Sequence, residues 1–286
     1  MIEIGDYPNI IAIHGIRNNR RIIEQFRDGT DEAGIFPVGC VFKSFVSVLM
    51  GIAIYEGKIS SIEDSVLDYI PHGEIPDIRW HKVKIRHALS KTTGIVWPGP
   101  QEHLPDSMDG VLRLSFEDEP GAAFRYKPDP QIIVYLLEKV YGMDIIKLFE
   151  RKLLAHFKHT GYCWNRDDIE DMRVCIGMLD ELGQLLLHKG VLNGQTVFSE
   201  MYYRQCLCAY SAGGFPEHTA YGLGWWVDAY QGVPYFYAAG FGGQKVLVCP
   251  EHALCISLLS DMDRPHPENK RAVEQILDTM LEEDRA

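Results

Sequence analysis

Phe36-Pro37-Val38-Gly39-Cys40-Val41-Phe42-Lys43-Ser44-Phe45, running on through Gly51-Ile52-Ala53-Ile54-Tyr55-Glu56-Gly57, is the stretch from which the fold is read. From Cys40 to Glu56 the chain is apolar on nearly every helical face, and Gly57 follows as a helix stop, since glycine reaches positive φ without steric cost. The segment is too short to cross a bilayer and reads as a helix buried inside the molecule. Lys43 is its anomaly, the only charged residue between Glu32 and Glu56. A buried ammonium is costly unless a partner or a use offsets its lost hydration, the bland alternative being a lysine that snorkels from the helix start to water. Cys40 lies one helical turn earlier, so the two side chains share a face. A thiol at a helix amino terminus beside an ammonium is favoured as thiolate by both the dipole and the charge. Judged alone, such a cysteine is more often an inert core thiol.

Working outward, residues 9–16 and 20–26 are β-like runs, and Arg17-Asn18-Asn19 between them suits a hairpin because Asn tolerates positive φ. On the other side, residues 60–89 alternate short helical pieces with proline turns. Residues 94–130 form a loop rich in proline and glycine, of a length that usually lines a site. Helical patterns return at 131–141, 145–158 and 172–189, and Asn193-Gly194 within 191–198 marks a small hairpin. The last third reads as strands at 222–228, 235–239, 244–249 and 253–259, closed by an amphipathic helix over 268–283. The pattern predicts an α+β fold, an α/β sandwich whose antiparallel sheet is built from both termini and flanked by helices. Residues 1–58 and 195–286 form the sheet subdomain and 59–194 an inserted, mostly helical subdomain, one structural unit with a cleft between its two parts.

Composition narrows the function. The chain has 286 residues, 46% of them apolar, and a formal charge of -12. It holds no basic cluster or tail, which argues against nucleic acid and against a membrane surface as partner and leaves a small molecule, neutral or locally compensated. The first nine residues carry Glu3 and Asp6 and no apolar run, so a cytoplasmic location is expected. Seven cysteines, an odd set, argue against a disulfide framework. The eleven histidines form no His-x-x-x-His pair and Cys206-x-Cys208 has no companion, so neither a metal nor another cofactor is expected. A Cys–His dyad would need His14 or His87 brought to Cys40, and neither lies in a motif for it. Nothing in the sequence sets an oligomeric state.

The text around Cys40 resembles the first motif region of class C β-lactamases, penicillin-binding proteins and related esterases, in which Ser-x-x-Lys opens the central helix. The resemblance continues through Asp64-Ser65-Val66-Leu67-Asp68-Tyr69-Ile70-Pro71 and Ile85-Arg86-His87-Ala88-Leu89-Ser90-Lys91-Thr92-Thr93-Gly94. It resumes at Pro120-Gly121-Ala122-Ala123-Phe124-Arg125-Tyr126, Leu182-Gly183-Gln184-Leu185-Leu186-Leu187, Tyr221-Gly222-Leu223-Gly224-Trp225-Trp226 and Gly240-Phe241-Gly242-Gly243-Gln244. It implies Cys40 as nucleophile, Lys43 as its proton-handling partner and Tyr126 as the second-motif tyrosine. It further implies an oxyanion hole made by the backbone N–H groups of Cys40 and Phe241, beside a third motif at Ala238-Ala239-Gly240.

Three positions depart from the family pattern. Cysteine stands for serine at position 40, Pro128 for the second-motif asparagine, and Ala238 for the third-motif lysine or histidine. The preferred expectation is a hydrolase of a small amide or ester acting through a thioester at Cys40. Thioesters react with amines far more readily than oxygen esters do, relative to water, which opens acyl transfer to an amine. A catalytically silent binding protein of the same fold is the third reading, and a serine exchanged for cysteine to trap an intermediate would give the same text.

Overall fold

The computed structural model describes residues 2–99, 103–263 and 269–285. At its centre is an eight-stranded antiparallel sheet. Its order is Arg20–Phe26, Ile10–Arg17, Leu254–Ser260, Lys245–Cys249, Val233–Ala239, Trp226–Tyr230, Thr219–Tyr221 and Ser211–Gly214. The amino-terminal hairpin thus pairs with the last strand, Ile10 opposite Ser260 and Arg17 opposite Leu254. Its turn is made by Asn18 and Asn19, both at positive φ. The fold is α+β, and both termini contribute to one sheet.

The inner strands Lys245–Cys249 and Leu254–Ser260 are buried on both faces, so successive residues go to different layers. Ile13, Leu247, Ile256 and Leu258 meet Ala272, Val273, Ile276 and Leu277 of the carboxy-terminal helix, Asn269–Arg285. Residue 268, where the sequence pattern starts that helix, lies outside the described residues. On the opposite face Ala12, Val246, Val248, Cys255 and Leu259 join the larger core, which also contains the helix Ile176–Leu187 and the central helix Phe42–Tyr55.

The central helix is buried from Phe42 through Ala53 and ends before Gly57, whose φ is +68°. Its polar residues are satisfied by the segment between the third and second motifs of the cleft. Ser44 Oγ donates to the Gly224 carbonyl at 2.7 Å and Ser47 Oγ to the Leu223 carbonyl at 2.5 Å. Gly224 sits at φ +84°, and a Cβ there would stand 2.9 Å from that of Ser47, so glycine is required on both counts. This contact fixes the start of the central helix against the sheet.

Several boundaries differ from the sequence reading. Residues 172–174 form a strand, Met172–Val174, between Phe36–Pro37 and Tyr162–Trp164 rather than the start of a helix. Its Met172 and Val174 point inward and Arg173 outward, a period of two too short to stand out beside the helix that follows. The helix Ile145–Lys152 stops six residues before its expected end, and Leu154–His156 continue as a 3-10 turn. Residues 222–225 form the connection between the strands Thr219–Tyr221 and Trp226–Tyr230, so the strand expected from 222 starts at Trp226. All seven cysteines are unbridged, and four of them are buried.

Candidate active site

Gly39–Val41 is a 3-10 turn leading into the central helix, which carries Cys40 to the mouth of the cleft while Lys43 stays almost wholly buried. Lys43 Nζ lies 2.9 Å from Cys40 Sγ and 3.6 Å from Glu170 Oε1. The lysine therefore does not snorkel to water; its head group is turned inward onto the thiol. Neither histidine weighed as a partner is engaged with Cys40. His14 Nδ1 is 2.7 Å from Asp180, and His87 Nδ1 accepts from the Lys84 amide at 3.2 Å.

Tyr126 completes the cluster. Lys43 Nζ stands 5.0 Å from its ring centre, and the ring stacks on Trp226 at 6.1 Å with 16° between planes. Burial, followed by the proximity of Cys40 and Tyr221, holds the Tyr126 hydroxyl well above the usual phenol range. The displacement favours the protonated hydroxyl over the phenolate.

The third-motif strand Val233–Ala239 runs beside the Cys40 turn. A Cβ built on Gly39 would stand 3.5 Å from the Phe241 nitrogen, and one built on Gly240 would collide with the Val38 carbonyl. Glycine at 240 allows the backbone of residues 240–241 to approach that of residues 38–40, and Gly39 takes a φ of +51° that favours glycine. Ala238 is buried in the core opposite Val246 and presents no charge to the cleft. On the neighbouring strand Lys245 stands opposite Ala239. Its Nζ is engaged with Glu217 at 2.9 Å and with the Tyr237 ring at 4.3 Å, so it does not replace the missing cation.

Two cavities flank the dyad. One, of about 690 Å³, is lined by Gly39, Cys40, Phe241, Asp168, Glu170 and Arg173, among others. The second, of about 710 Å³, is lined by Lys43, Pro128, Tyr135 and again Asp168 and Glu170. Pro128, in the place of the second-motif asparagine, offers that wall only its ring and a carbonyl that accepts from the Gln131 amide. The cavity beside Cys40 also receives Asp171, Asp261 and Asp263, so carboxylates outnumber the one cation, Arg173, among the charged groups of a lining that is otherwise uncharged.

Three residues not singled out in the sequence belong to this cluster. Glu170 pairs with Lys43 from the 165–171 loop. Lys91 is completely buried, with Nζ 4.4 Å from the Tyr126 ring centre and donating to the Lys127 carbonyl at 2.8 Å. Asp129 is buried beside it and accepts from Trp97 Nε1 at 2.6 Å and from the Thr93 amide at 3.4 Å. Burial, then the charge of Lys43, pushes the Lys91 ammonium down to about 7, while burial pushes the Asp129 carboxyl up to about 6. Among the described residues no group of three His, Cys, Asp or Glu side chains is arranged to hold a metal ion, and no helix is long and apolar enough to cross a membrane.

With this geometry in view, the likenesses to known proteins are informative. The family model described as "Beta-lactamase" matches residues 11–281. Curated proteins give no match. Among solved structures, a protein assigned as a β-lactamase from Bacteroides dorei DSM 17855 superposes with a TM-score of 0.80 at 16% identity, with 96% of each chain covered. A protein assigned as a 6-aminohexanoate-dimer hydrolase from Bacillus anthracis gives 0.80 at 16% identity, covering 99% of this chain and 81% of the other. A hydrolase with promiscuous acyltransferase activity gives 0.74 at 15% identity, covering 95% and 94%. At these identities the likeness is one of fold.

Proposed function

The chain belongs to the β-lactamase family, and from that membership and the arrangement around Cys40 we propose that it is a hydrolase of small amides or esters that forms a covalent acyl-enzyme on Cys40. The observation that carries this reading is the 2.9 Å contact between Lys43 Nζ and Cys40 Sγ inside a substrate-sized cleft. In acylation the sulfur attacks the substrate carbonyl and the tetrahedral oxyanion is received by the N–H groups of Cys40 and Phe241. The proton held between Cys40 and Lys43 passes to the leaving group, with the Tyr126 hydroxyl as the donor facing it. Water then adds to the thioester, releasing the acid and restoring the thiol.

The acidic lining and the alanine at position 238 set the substrate apart from a carboxylate-bearing β-lactam. A small substrate that is uncharged or carries an amine fits a wall made by Asp168, Glu170, Asp171, Asp261 and Asp263. The same wall favours a second reading, acyl transfer, because it would concentrate an amine acceptor beside a thioester that reacts with amines.

Incubation with a p-nitrophenyl ester of a short neutral acid, followed by intact mass and peptide mapping, tests the first step. A single adduct of acyl mass on Cys40 is expected. An intact protein with no adduct across a panel of acyl lengths, and a Cys40 that resists alkylation, would leave only a silent binding protein. Addition of amines then separates the endings, free acid for hydrolysis and amide for transfer.

A further inference from the structure

Lys91 is a buried cation that the acyl-transfer scheme leaves unused. It comes from the segment after the short helix Ile85–Leu89, and all four residues Ser90, Lys91, Thr92 and Thr93 are buried despite their polarity. Desolvating an ammonium in this way is unfavourable without opposing charge and hydrogen bonds. Here the hydrogen bond goes to the carbonyl of Lys127, the residue after Tyr126, and the alkylammonium lies against the Tyr126 ring. The backbone repeats the link, since the Arg125 amide donates to the Lys91 carbonyl at 2.9 Å. Lys91 therefore grips the Tyr126 turn on both sides of the tyrosine.

We propose that Lys91 is a positioning residue of the reaction centre, a second lysine that anchors the Tyr126 turn and lends its charge to the Cys40 cluster, so that thiol reactivity depends on two buried lysines. The inference rests on the reading of Cys40 as nucleophile. The charged and titratable groups around Lys91 are Lys43, Tyr126, Cys40, Asp129 and Glu170. Lys43 repels it, whereas Asp129, Cys40 and Glu170 favour its charged form. Lys91 and Lys43 stand over the same Tyr126 ring, at 4.4 and 5.0 Å from its centre, which places the second ammonium within the Cys40 cluster.

The test is the rate of Cys40 alkylation by iodoacetamide from pH 5 to 10, followed on the Cys40 peptide because Cys163 and Cys208 are also exposed. Lys91→Met removes both the charge and the hydrogen bond. Lys91→Gln keeps a donor for the Lys127 carbonyl and removes the charge alone, and it carries the test if the methionine variant does not fold. The alkylation profile is expected to move to higher pH in both variants, by half a unit or more, with at least a threefold slower reaction at pH 7. Lys91→Arg is expected to return it most of the way. A folded Lys91→Gln protein whose profile superposes on the unaltered one overturns the proposal. An unaltered protein whose Cys40 does not alkylate at all overturns instead the reading on which it rests.

Discussion

Lys43 is shared between Cys40 Sγ at 2.9 Å and Glu170 at 3.6 Å, and the two contacts predict different consequences of its loss. In the proposed mechanism, removing the ammonium takes from Cys40 its proton-handling partner. Lys43→Met is therefore expected to slow acylation by about 10²- to 10⁴-fold, the usual share of a positioned proton-transfer group. Stability should not fall in parallel, because Glu170 is half exposed and can rehydrate, while a buried ammonium is replaced by an apolar side chain of similar length. Burst kinetics with the activated ester and a thermal melt check both halves. Acylation within twofold of the unaltered rate would remove Lys43 from the mechanism. The proximity of Lys43 to Cys40 was legible because charge is conspicuous inside an apolar helix, and the family-like motif ending at Tyr126 pointed to its place beside them. Glu170 gave no comparable signal: within Asp167-Asp168-Ile169-Glu170-Asp171 it reads as one more solvated carboxylate, and only a chain reversal of more than a hundred residues brings it to Lys43. Lys91 was hidden for the opposite reason, since a polar tetrad looks exposed until tertiary packing buries it.

Among the elements, the helix Ile176–Leu187 shows how a glycine that weakens a helix locally can be required by its packing. Gly183 faces the sheet, where a Cβ would collide with Cys255 Sγ and stand 3.1 Å from Val246 Cγ1. Gly183→Val would force the helix off the strands Lys245–Cys249 and Leu254–Ser260. It is expected to cost about 3 kcal/mol, at the upper end of overpacking penalties. Urea unfolding with and without the substitution measures it, and a loss under 0.5 kcal/mol would mean that the helix shifts freely on the sheet. Helix and strand types were read correctly where periodicity ran long, as in the central helix, the amino-terminal hairpin and the 193–194 turn, where both Asn193 and Gly194 take positive φ. Legibility failed for short pieces. Ser211–Gly214 and Thr219–Tyr221 have too few residues for alternation to register, and Met172–Val174 was absorbed into the helical pattern that begins at Ile176. These pieces owe their conformation to neighbours distant in sequence.

For the molecule as a whole, two buried groups set opposing dependences of stability on pH. His87 is pushed down to about 4 from 6.5 by burial first and then by the charges of Arg86 and Lys84. Between those values the unfolded chain binds the proton and the folded protein does not, so stability is lost as pH falls through that window. Asp129 runs the other way. Burial raises its carboxyl from 3.8 to about 6, so the folded state binds the proton first and stability is gained as pH falls over that range. Each displacement corresponds to about 3 kcal/mol at about 1.4 kcal/mol per unit, which makes the two nearly offset one another between pH 6 and 4. Asp129→Asn removes one side of this balance while keeping an oxygen to accept from Trp97 Nε1. The unfolding free energy of the variant, measured in urea at half-unit steps, is therefore expected to fall away from that of the unaltered protein by about 3 kcal/mol as pH goes from 6 to 4. Titrating groups that do not interact with Asp129 cancel in the difference, and Lys91, which does, is the one that departs from this. Parallel curves across that window would show that Asp129 is ionised at pH 5 in the folded protein, and the buried carboxyl would then have to be a full counter-charge to Lys91.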